Sequence, residues 1–137
     1  MTKLHAQWIV GFVDGEGCFH SAINKNTSLR FGAQILPEFT VVQHESDIQI
    51  LYRLKDYWKC GVVRQNHSHR MCYRVRKLEH LVTIILPFFE KHPLKTKKNI
   101  DFLKFRDVVL ALHQKKHLEE QGFHELCDRI LASRKKI

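Results

Sequence analysis

The chain has 137 residues, which is enough for one domain with a hydrophobic core but not comfortably for two. Apolar residues make up 44% and charged residues 27%, as in ordinary globular proteins, but 23 Lys and Arg against 14 Asp and Glu leave a net charge of +9. That excess favours a polyanionic partner, either a nucleic acid or an anionic membrane surface. No apolar run approaches the ~18–20 residues of a membrane span, so we expect no membrane-embedded segment.

The four cysteines, at positions 18, 60, 72 and 127, are scattered and show no C-x-x-C spacing. This pattern favours a reduced, intracellular protein over a disulfide scaffold.

The first predicted element is a short helix over Leu4–Val13, because Leu4, Trp8 and Phe12 recur every four residues. The helix runs into Asp14-Gly15-Glu16-Gly17, where the two glycines are expected to release it and let the backbone turn.

A first antiparallel hairpin is predicted next, because apolar and polar residues alternate over Cys18–Asn24 and again over Gln34–Val41, on either side of a polar turn at residues 25–28. Pro37 cannot donate to a strand ladder, so we expect an edge position or a bulge there.

A helix is predicted to begin at Ser46, where Ser46-Asp47-Ile48-Gln49 has the S-x-x-Q form of a capping box, and to end at Gly61. A second hairpin is then predicted, with strands over Val62–Asn66 and Met71–Arg76 around the turn His67-Ser68-His69.

The remainder is predicted to be helical. A short helix over Leu78–Leu86 is closed by Pro87, and Thr96 caps a longer one that carries Ile100, Leu103 and Leu110. A last amphipathic helix carries Phe123, Leu126, Cys127, Ile130 and Leu131. The predicted fold class is α+β: an αββαββα core in which a four-stranded antiparallel, saddle-like sheet has its helices on one face.

The polar residues of both hairpins fall on the other face of the sheet, which the helices leave free. Eight basic residues and one acidic residue lie between Arg53 and Lys77, and Arg, Asn and Gln suit the reading of base edges in a major groove. A solvated face with incidental charge and a membrane surface are the alternatives. The candidate DNA-contacting residues are His20, Asn24, Asn26, Ser28, Arg30, Gln34, Glu38, Thr40, Arg64, Asn66, Arg70, Arg74 and Arg76.

The first predicted helix ends in the stretch Ile9-Val10-Gly11-Phe12-Val13-Asp14-Gly15-Glu16-Gly17. This stretch resembles the signature of the LAGLIDADG homing endonucleases, a helix that ends in two acidic residues separated by a small one. Val10, where a small residue is usual, and Glu16, where aspartate is commoner, depart from the pattern. A surface turn is the alternative for the motif alone, but the order of elements extends the resemblance over roughly residues 8–112.

The resemblance implies an interface between two copies of this helix. Small Gly11 and Gly15 would let the two helices approach closely, and Asp14 would cap or stabilise the pair. The implied interface residues are Trp8, Gly11, Phe12, Asp14 and Gly15.

The resemblance also implies catalytic roles. Glu16 would bind Mg²⁺, or another divalent cation such as Mn²⁺, with help from the backbone carbonyl of Gly15. Gln43 matches the family residue that positions water near the scissile phosphate, and Lys95 matches the lysine that activates water or stabilises the transition state. The alternatives are a surface glutamine for Gln43, and for Lys95 a solvated lysine, with Lys97 as the other candidate. Asp47 stands where related single-motif enzymes carry a basic residue.

Taken together, the resemblance implies a Mg²⁺-dependent, site-specific endonuclease of double-stranded DNA, encoded by a mobile intron, with one endonuclease domain over residues 1–137. A single motif is typical of the homodimeric branch, in which each subunit supplies one metal ligand and reads one half of a long pseudo-palindromic target. An RNA maturase acting on intron RNA, or a DNA-binding regulator that does not cut, is the alternative. The expected location is an organelle (chloroplast or mitochondrion) or a prokaryotic cytoplasm.

Overall fold

The elements follow the predicted order. The structure, a computed structural model, describes residues 3–134, with the backbone alone at Arg134. The strands are β1 (Gly17–Lys25), β2 (Ala33–His44), β3 (Val62–His67) and β4 (Arg70–Val75). The helices are α1 (Ala6–Glu16), α2 (Ile48–Trp58), α3 (Leu78–His80), α4 (Leu86–Lys91), α5 (Lys98–His113) and α6 (Glu120–Arg134). The α+β class and the four-stranded antiparallel sheet are confirmed.

The sheet has the strand order β1-β2-β4-β3. β1 and β2 pair from Gly17 opposite Val41 to Lys25 opposite Ala33, without a register shift. β4 pairs with β2 only as far as Phe39, so the preceding part of β2 has a neighbour on one side. Pro37 lies in that part, which confirms the predicted edge position, where a missing N–H is tolerated.

The apolar face of the sheet carries an aromatic core. Phe39 and Tyr73 are fully buried, and Trp58 of α2 packs edge-on to Phe39 and stacks on Tyr73 at centroid distances of 5.7 and 6.0 Å. Phe19 joins this core to α4 and α5 through Phe89 and Phe102. A second cluster packs α5 and α6 beneath the first hairpin. None of the helices within residues 3–134 combines the length and the apolar character needed to cross a bilayer.

Helix α1 continues further than predicted. The helix does not end at Asp14: Gly15 and Glu16 are still helical, and the chain enters β1 directly at Gly17. Glu16 is therefore the last helical residue and does not lie beyond the helix end. A single Gly within a helix weakens it by only ~1 kcal/mol, which tertiary packing can offset.

The predicted capping box at Ser46 is wrong. A 3-10 turn over Glu45–Asp47 precedes α2, and the Nδ1 atom of His44 accepts a hydrogen bond from the Ser46 backbone N–H (3.1 Å) and lies 2.9 Å from the Ser46 hydroxyl. His44 therefore caps the 3-10 turn, whereas the N-cap residue of α2, Asp47, makes no side-chain capping hydrogen bond.

Pro87 does not close the helix that precedes it. A π-helical turn over Leu81–Ile85 connects α3 to α4, and Pro87 lies in the first turn of α4. Because proline lacks an N–H and its ring crowds the preceding turn, it interrupts the regular α-helical ladder, and the π-helical turn directly before it is such an irregularity. The helical segment nevertheless continues to Lys91.

The predicted apolar residues of α5 do not all face the core. Ile100 and Leu103 are 54% and 38% exposed, whereas Phe102, Phe105 and Val109 are buried. Two apolar stripes run along this helix, and helical spacing does not reveal which one the sheet covers. Thr96 does cap the helix start, because its hydroxyl accepts from the Lys98 N–H at 3.2 Å. In α6, Phe123, Leu126 and Ile130 are buried as expected, while Leu131 is 47% exposed.

Phe39→Ala tests the aromatic core. We expect it to lower the free energy of unfolding by about 3–5 kcal/mol, because the lost ring leaves a cavity that the sheet cannot close. Tyr52→Ala removes an aromatic ring that is 43% exposed and is expected to change stability by less than ~1 kcal/mol. Urea unfolding at one protein concentration measures both. Equal losses in the two variants would contradict the placement of the core.

Candidate active site and nucleic-acid interface

The corner between α1 and β1 is built around Gly17. Its backbone angles, φ −84° and ψ 164°, are open to any residue, so glycine is not needed for conformational freedom. It is needed for space, because a Cβ atom at this position would lie 2.6 Å from Val13 Cγ1 and 2.9 Å from the Val13 carbonyl oxygen. The same close approach lets the Gly17 N–H donate to the Val13 carbonyl and end the helix.

Glu16 lies exposed at this corner. Within the described part of the chain, no hydrogen bond or ion pair engages its carboxylate. Gly15 belongs to the last turn of α1, where backbone carbonyls lack N–H partners within the helix. The corner therefore presents a free carboxylate next to the oxygen-rich end of a helix.

The other acidic residue of the motif, Asp14, is fully engaged. Its Oδ2 atom accepts a hydrogen bond from the Lys95 backbone N–H (2.8 Å), and its Oδ1 atom accepts from the backbone N–H and the hydroxyl of Thr96 (3.2 and 2.8 Å). Burial raises the pKa of the Asp14 carboxyl, but these hydrogen bonds and the charge of Lys98 outweigh that effect and leave the pKa below its ordinary value. Asp14 therefore joins α1 to the segment before α5 within one subunit.

Lys98 makes a second connection that the sequence did not reveal. Its ammonium group donates to the backbone carbonyl oxygen of Gly17, which ties the first turn of α5 to the start of β1. The sequence shows a run of lysines at 95, 97 and 98, but only the fold shows that Lys98 is half-buried while Lys95 and Lys97 are exposed.

Gln43 is the residue before the last one in β2. Because Gly17 pairs with Val41, β2 extends past the start of β1 and carries Gln43 alongside the end of α1. By strand alternation Gln43 shares the face of Phe39 and Val41, and its side chain is half-buried. The fold thus brings the Lys95 backbone to Asp14, two residues before Glu16, and extends β2 with Gln43 past the start of β1.

The free face of the sheet carries a band of charge. Cross-strand pairing places His20 opposite Glu38, Thr40 opposite Arg74, and Arg64 opposite Cys72. Partial burial lowers the pKa of the Arg74 guanidinium, and the charges of Arg76 and Arg64 lower it further. Among these residues only Arg76 forms a described ion pair, with Glu38 at 2.7 Å. The face is therefore a concentration of cationic side chains that favours an anion.

Several predicted contact residues lie at the ends of the hairpins. Asn26 and Ser28 are in the turn between β1 and β2, where Asn26 Oδ1 accepts from the Ser28 backbone N–H (3.1 Å) and hydroxyl (2.6 Å). These two side chains stabilise the turn. Arg30 lies over the ring of Phe31 at 5.2 Å. The remaining exposed members of the predicted set are Asn24, Gln34, Asn66 and Arg70.

Helix α1 has an apolar outer face that the described chain covers only in part. Ile9, Val10 and Val13 are buried against the sheet, whereas Trp8 is 46% exposed and stacks on half-buried Phe12 at 5.0 Å. A Cβ atom added at Gly11 or Gly15 would meet no atom within 4 Å. Neither glycine is required by packing within the subunit, so both leave the outer face of α1 open to close approach.

Glu16 fits a hard divalent cation but does not complete a site alone. Within residues 3–134 no group of three or more His, Cys, Asp or Glu side chains is arranged to hold a metal ion. Mg²⁺ commonly takes one or two carboxylates and completes its coordination with waters and substrate phosphate oxygens. An exposed, unengaged carboxylate beside a cationic face matches that mode of binding.

The family model of the LAGLIDADG endonucleases matches residues 9–109, which covers the motif, the whole sheet and most of α5. The chain belongs to this family.

Two curated relatives are also named as endonucleases. The chain is 26% identical over 122 residues to "Probable intron-encoded endonuclease 2" of Neurospora crassa, covering 88% of this chain and 25% of the relative. It is 30% identical over 112 residues to "Homing endonuclease I-ApeII" of Aeropyrum pernix, covering 80% of this chain and 65% of the relative. The chain spans about a quarter of the length of several of the curated relatives that it matches.

A crystal structure of the homing endonuclease I-TnaI superposes on the chain with a TM-score of 0.91 and 46% identity, covering 96% of this chain and 88% of that one. I-SmaMI bound to an uncleaved DNA target in the presence of calcium ions superposes with a TM-score of 0.94 and 31% identity, covering 98% and 46%.

Gly17→Ala tests the corner that carries Glu16. The added methyl group meets the Val13 backbone and side chain, so we expect a loss of about 2 kcal/mol or more in the free energy of unfolding. Cys18→Ala changes the next, exposed residue without adding atoms and is expected to cost less than ~1 kcal/mol. Urea unfolding of both variants is the measurement, and an unchanged Gly17→Ala variant would mean that the corner tolerates a side chain.

Proposed function

We propose that the protein is a site-specific endonuclease that hydrolyses phosphodiester bonds of double-stranded DNA as a homodimer, with residues 1–137 acting as one endonuclease domain. The observation that carries this proposal is the difference between the two acidic residues of the motif. Asp14 is occupied by hydrogen bonds to Lys95 and Thr96 within the subunit, whereas Glu16, two residues further along α1, presents a free, exposed carboxylate.

Glu16, with the Gly15 carbonyl, is the group that would hold a divalent cation, Mg²⁺ or Mn²⁺. Such a cation, when bound, lowers the pKa of a coordinated water and stabilises negative charge on a phosphoryl oxygen. I-SmaMI, which has the same fold, binds its uncleaved DNA target in the presence of calcium ions, and this supports a divalent-cation site in the present chain.

Lys95 and Gln43 would supply a positive charge and a hydrogen-bonding amide, neither of which a carboxylate provides. Lys95 is exposed in the loop bound to Asp14, so its ammonium group is available to the charge that develops on the phosphate in the transition state. The Gln43 amide can both donate and accept, which suits it to orient the attacking water. Lys97 is the alternative cation, but Asp14 binds the backbone at Lys95 and Thr96, which favours Lys95.

The cationic sheet face would bind the DNA. Arg64, Arg74 and Arg76 form the centre of the band, and arginine recognises guanine and phosphate through paired N–H donors. The I-SmaMI structures bound to DNA have the same fold as this chain, which supports DNA as the partner. Polar residues at the hairpin ends would extend the contact along the duplex.

A second copy of the chain would cover the outer face of α1. Two stacked aromatic side chains and two glycines without neighbours form a surface suited to a close helix–helix contact. The two-fold symmetry of such a dimer brings two Glu16 corners together, one for each DNA strand, and implies a long pseudo-palindromic target with one half-site for each subunit.

The names of several relatives place them in introns, including one described as lying in "ND4 intron 1" of Podospora anserina. We propose that this chain is likewise intron-encoded and that its DNA target is the joined exon sequence around the insertion point. An organelle is the compartment that such introns favour.

Glu16→Gln tests the enzymatic role on a duplex that carries the joined exon sequences. We expect cleavage to fall by about 10³-fold or more, since a neutral amide cannot replace an anionic metal ligand, while DNA binding in EDTA changes by less than about threefold. Glu119→Gln, at an exposed position between α5 and α6, is the charge-matched control and is expected to cut normally.

Sequencing the cut ends distinguishes specific from nonspecific hydrolysis. A Glu16→Gln variant that cuts as fast as the unchanged protein would rule out the metal-ligand role. Specific DNA binding without cleavage in the unchanged protein would favour the non-cutting regulator, and preferential binding of intron RNA would favour the maturase.

Gly11→Leu tests the dimer. The added side chain has room within the subunit but would obstruct a partner helix, so we expect dimers at micromolar concentration to become monomers with an unchanged circular dichroism spectrum. Gln49→Leu, which places the same side chain on an exposed position of α2, is expected to leave the dimer intact. Light scattering measures both, and a monomeric unchanged protein would contradict the shared interface.

A further inference from the structure

The loop between α4 and α5 carries Lys95 on an exposed stretch of backbone. Helix α4 ends at Lys91, α5 begins at Lys98, and within the loop only Leu94 is buried. A lysine side chain is long and flexible, so the place its amine can reach depends on how firmly its own backbone is held.

The backbone at Lys95 and Thr96 is bound by one carboxylate, that of Asp14. Three donors from two consecutive residues converge on Asp14: the Lys95 N–H on Oδ2, and the N–H and hydroxyl of Thr96 on Oδ1. Asp14 is on α1, two residues before Glu16, so these hydrogen bonds fix the loop relative to the helix that carries the proposed metal ligand.

Thr96 links this contact to α5. Its hydroxyl donates to Asp14 at 2.8 Å and also accepts from the Lys98 N–H at 3.2 Å, at the first residue of the helix. The Lys98 ammonium group in turn donates to the Gly17 carbonyl oxygen. The segment 95–98 is therefore bound to the chain on both sides of Glu16, at Asp14 and at Gly17.

We propose that Asp14 and Thr96 are positioning residues for phosphodiester hydrolysis, which hold Lys95 in a fixed place relative to Glu16. The inference rests on the proposed function. The two acids of the motif then have separate roles: Glu16 faces the substrate, and Asp14 orients the residue that assists it. Neither Asp14 nor Thr96 needs to touch DNA, and their effect should appear in the rate of the chemical step.

Thr96→Val tests this role, because it removes the hydroxyl and keeps the size of the side chain. Misplacing a catalytic group by about 1 Å can cost about 10²-fold in rate, so we expect the single-turnover cleavage rate to fall by about 10- to 100-fold. The dissociation constant for DNA in EDTA is expected to change by less than about threefold, because the sheet face is unaltered. Thr96→Ser restores the hydroxyl and is expected to recover the rate to within about threefold.

Thr83→Val is the matched control. The Thr83 hydroxyl also makes a short hydrogen bond, to the Glu79 carbonyl oxygen at 2.7 Å, but within the α3–α4 segment. Its loss is expected to leave cleavage unchanged. Amide hydrogen exchange gives a measurement independent of cleavage: Thr96→Val should speed exchange at Lys95 and Thr96, while exchange at buried Val109 stays slow.

The outcomes separate the two proposals. If the unchanged protein does not cut, the proposed function fails. If it cuts, Glu16→Gln does not, and Thr96→Val cuts at the normal rate, the function stands and the positioning role is wrong. The positioning role is also wrong if Thr96→Val weakens binding as much as cleavage, or if Thr96→Ser fails to restore the rate.

Discussion

The missing side chain at Gly17 is the constraint on which the geometry of the site depends. Because no Cβ stands between the strand start and Val13, α1 passes into β1 without a loop, and Glu16 emerges at the corner. The same junction sets the pairing of Gly17 with Val41, which carries Gln43 past the corner. One close backbone approach therefore fixes where Glu16 leaves the helix and how far β2 extends past it.

The two faces of the sheet have different roles, one in stability and the other in binding. On one face Phe39, Tyr73 and Trp58 form an aromatic core whose burial stabilises the domain. On the other face Arg64, Arg74 and Arg76 form a cationic band, and partial burial, together with the charges of Arg76 and Arg64, lowers the pKa of Arg74. Strand alternation produces both faces, and the cationic face favours an anionic partner.

Helix α1 is apolar on two sides. One side, with Ile9, Val10 and Val13, is buried by the sheet, and the other carries exposed Trp8 stacked on half-buried Phe12. A helix that is apolar on more than one side is typically buried on each of those sides. The fold therefore explains why the motif contains glycines that its own subunit does not require, and why we propose a second copy as the cover.

Much of the fold followed from sequence pattern, because alternation and helical spacing report which residues avoid water. The sequence by itself determined the order of elements, the polar face of the sheet and the acidic motif that identified the family. It did not show which of the two apolar stripes of α5 faces the core. It also did not predict the hydrogen bond from Ser46 to His44 or the continuation of the helix past Pro87. Nor could it predict the hydrogen bond from the Lys98 ammonium group to the Gly17 carbonyl oxygen, or those from Lys95 and Thr96 to Asp14. Those contacts join residues about eighty positions apart, and only tertiary packing decides which distant donor reaches which acceptor.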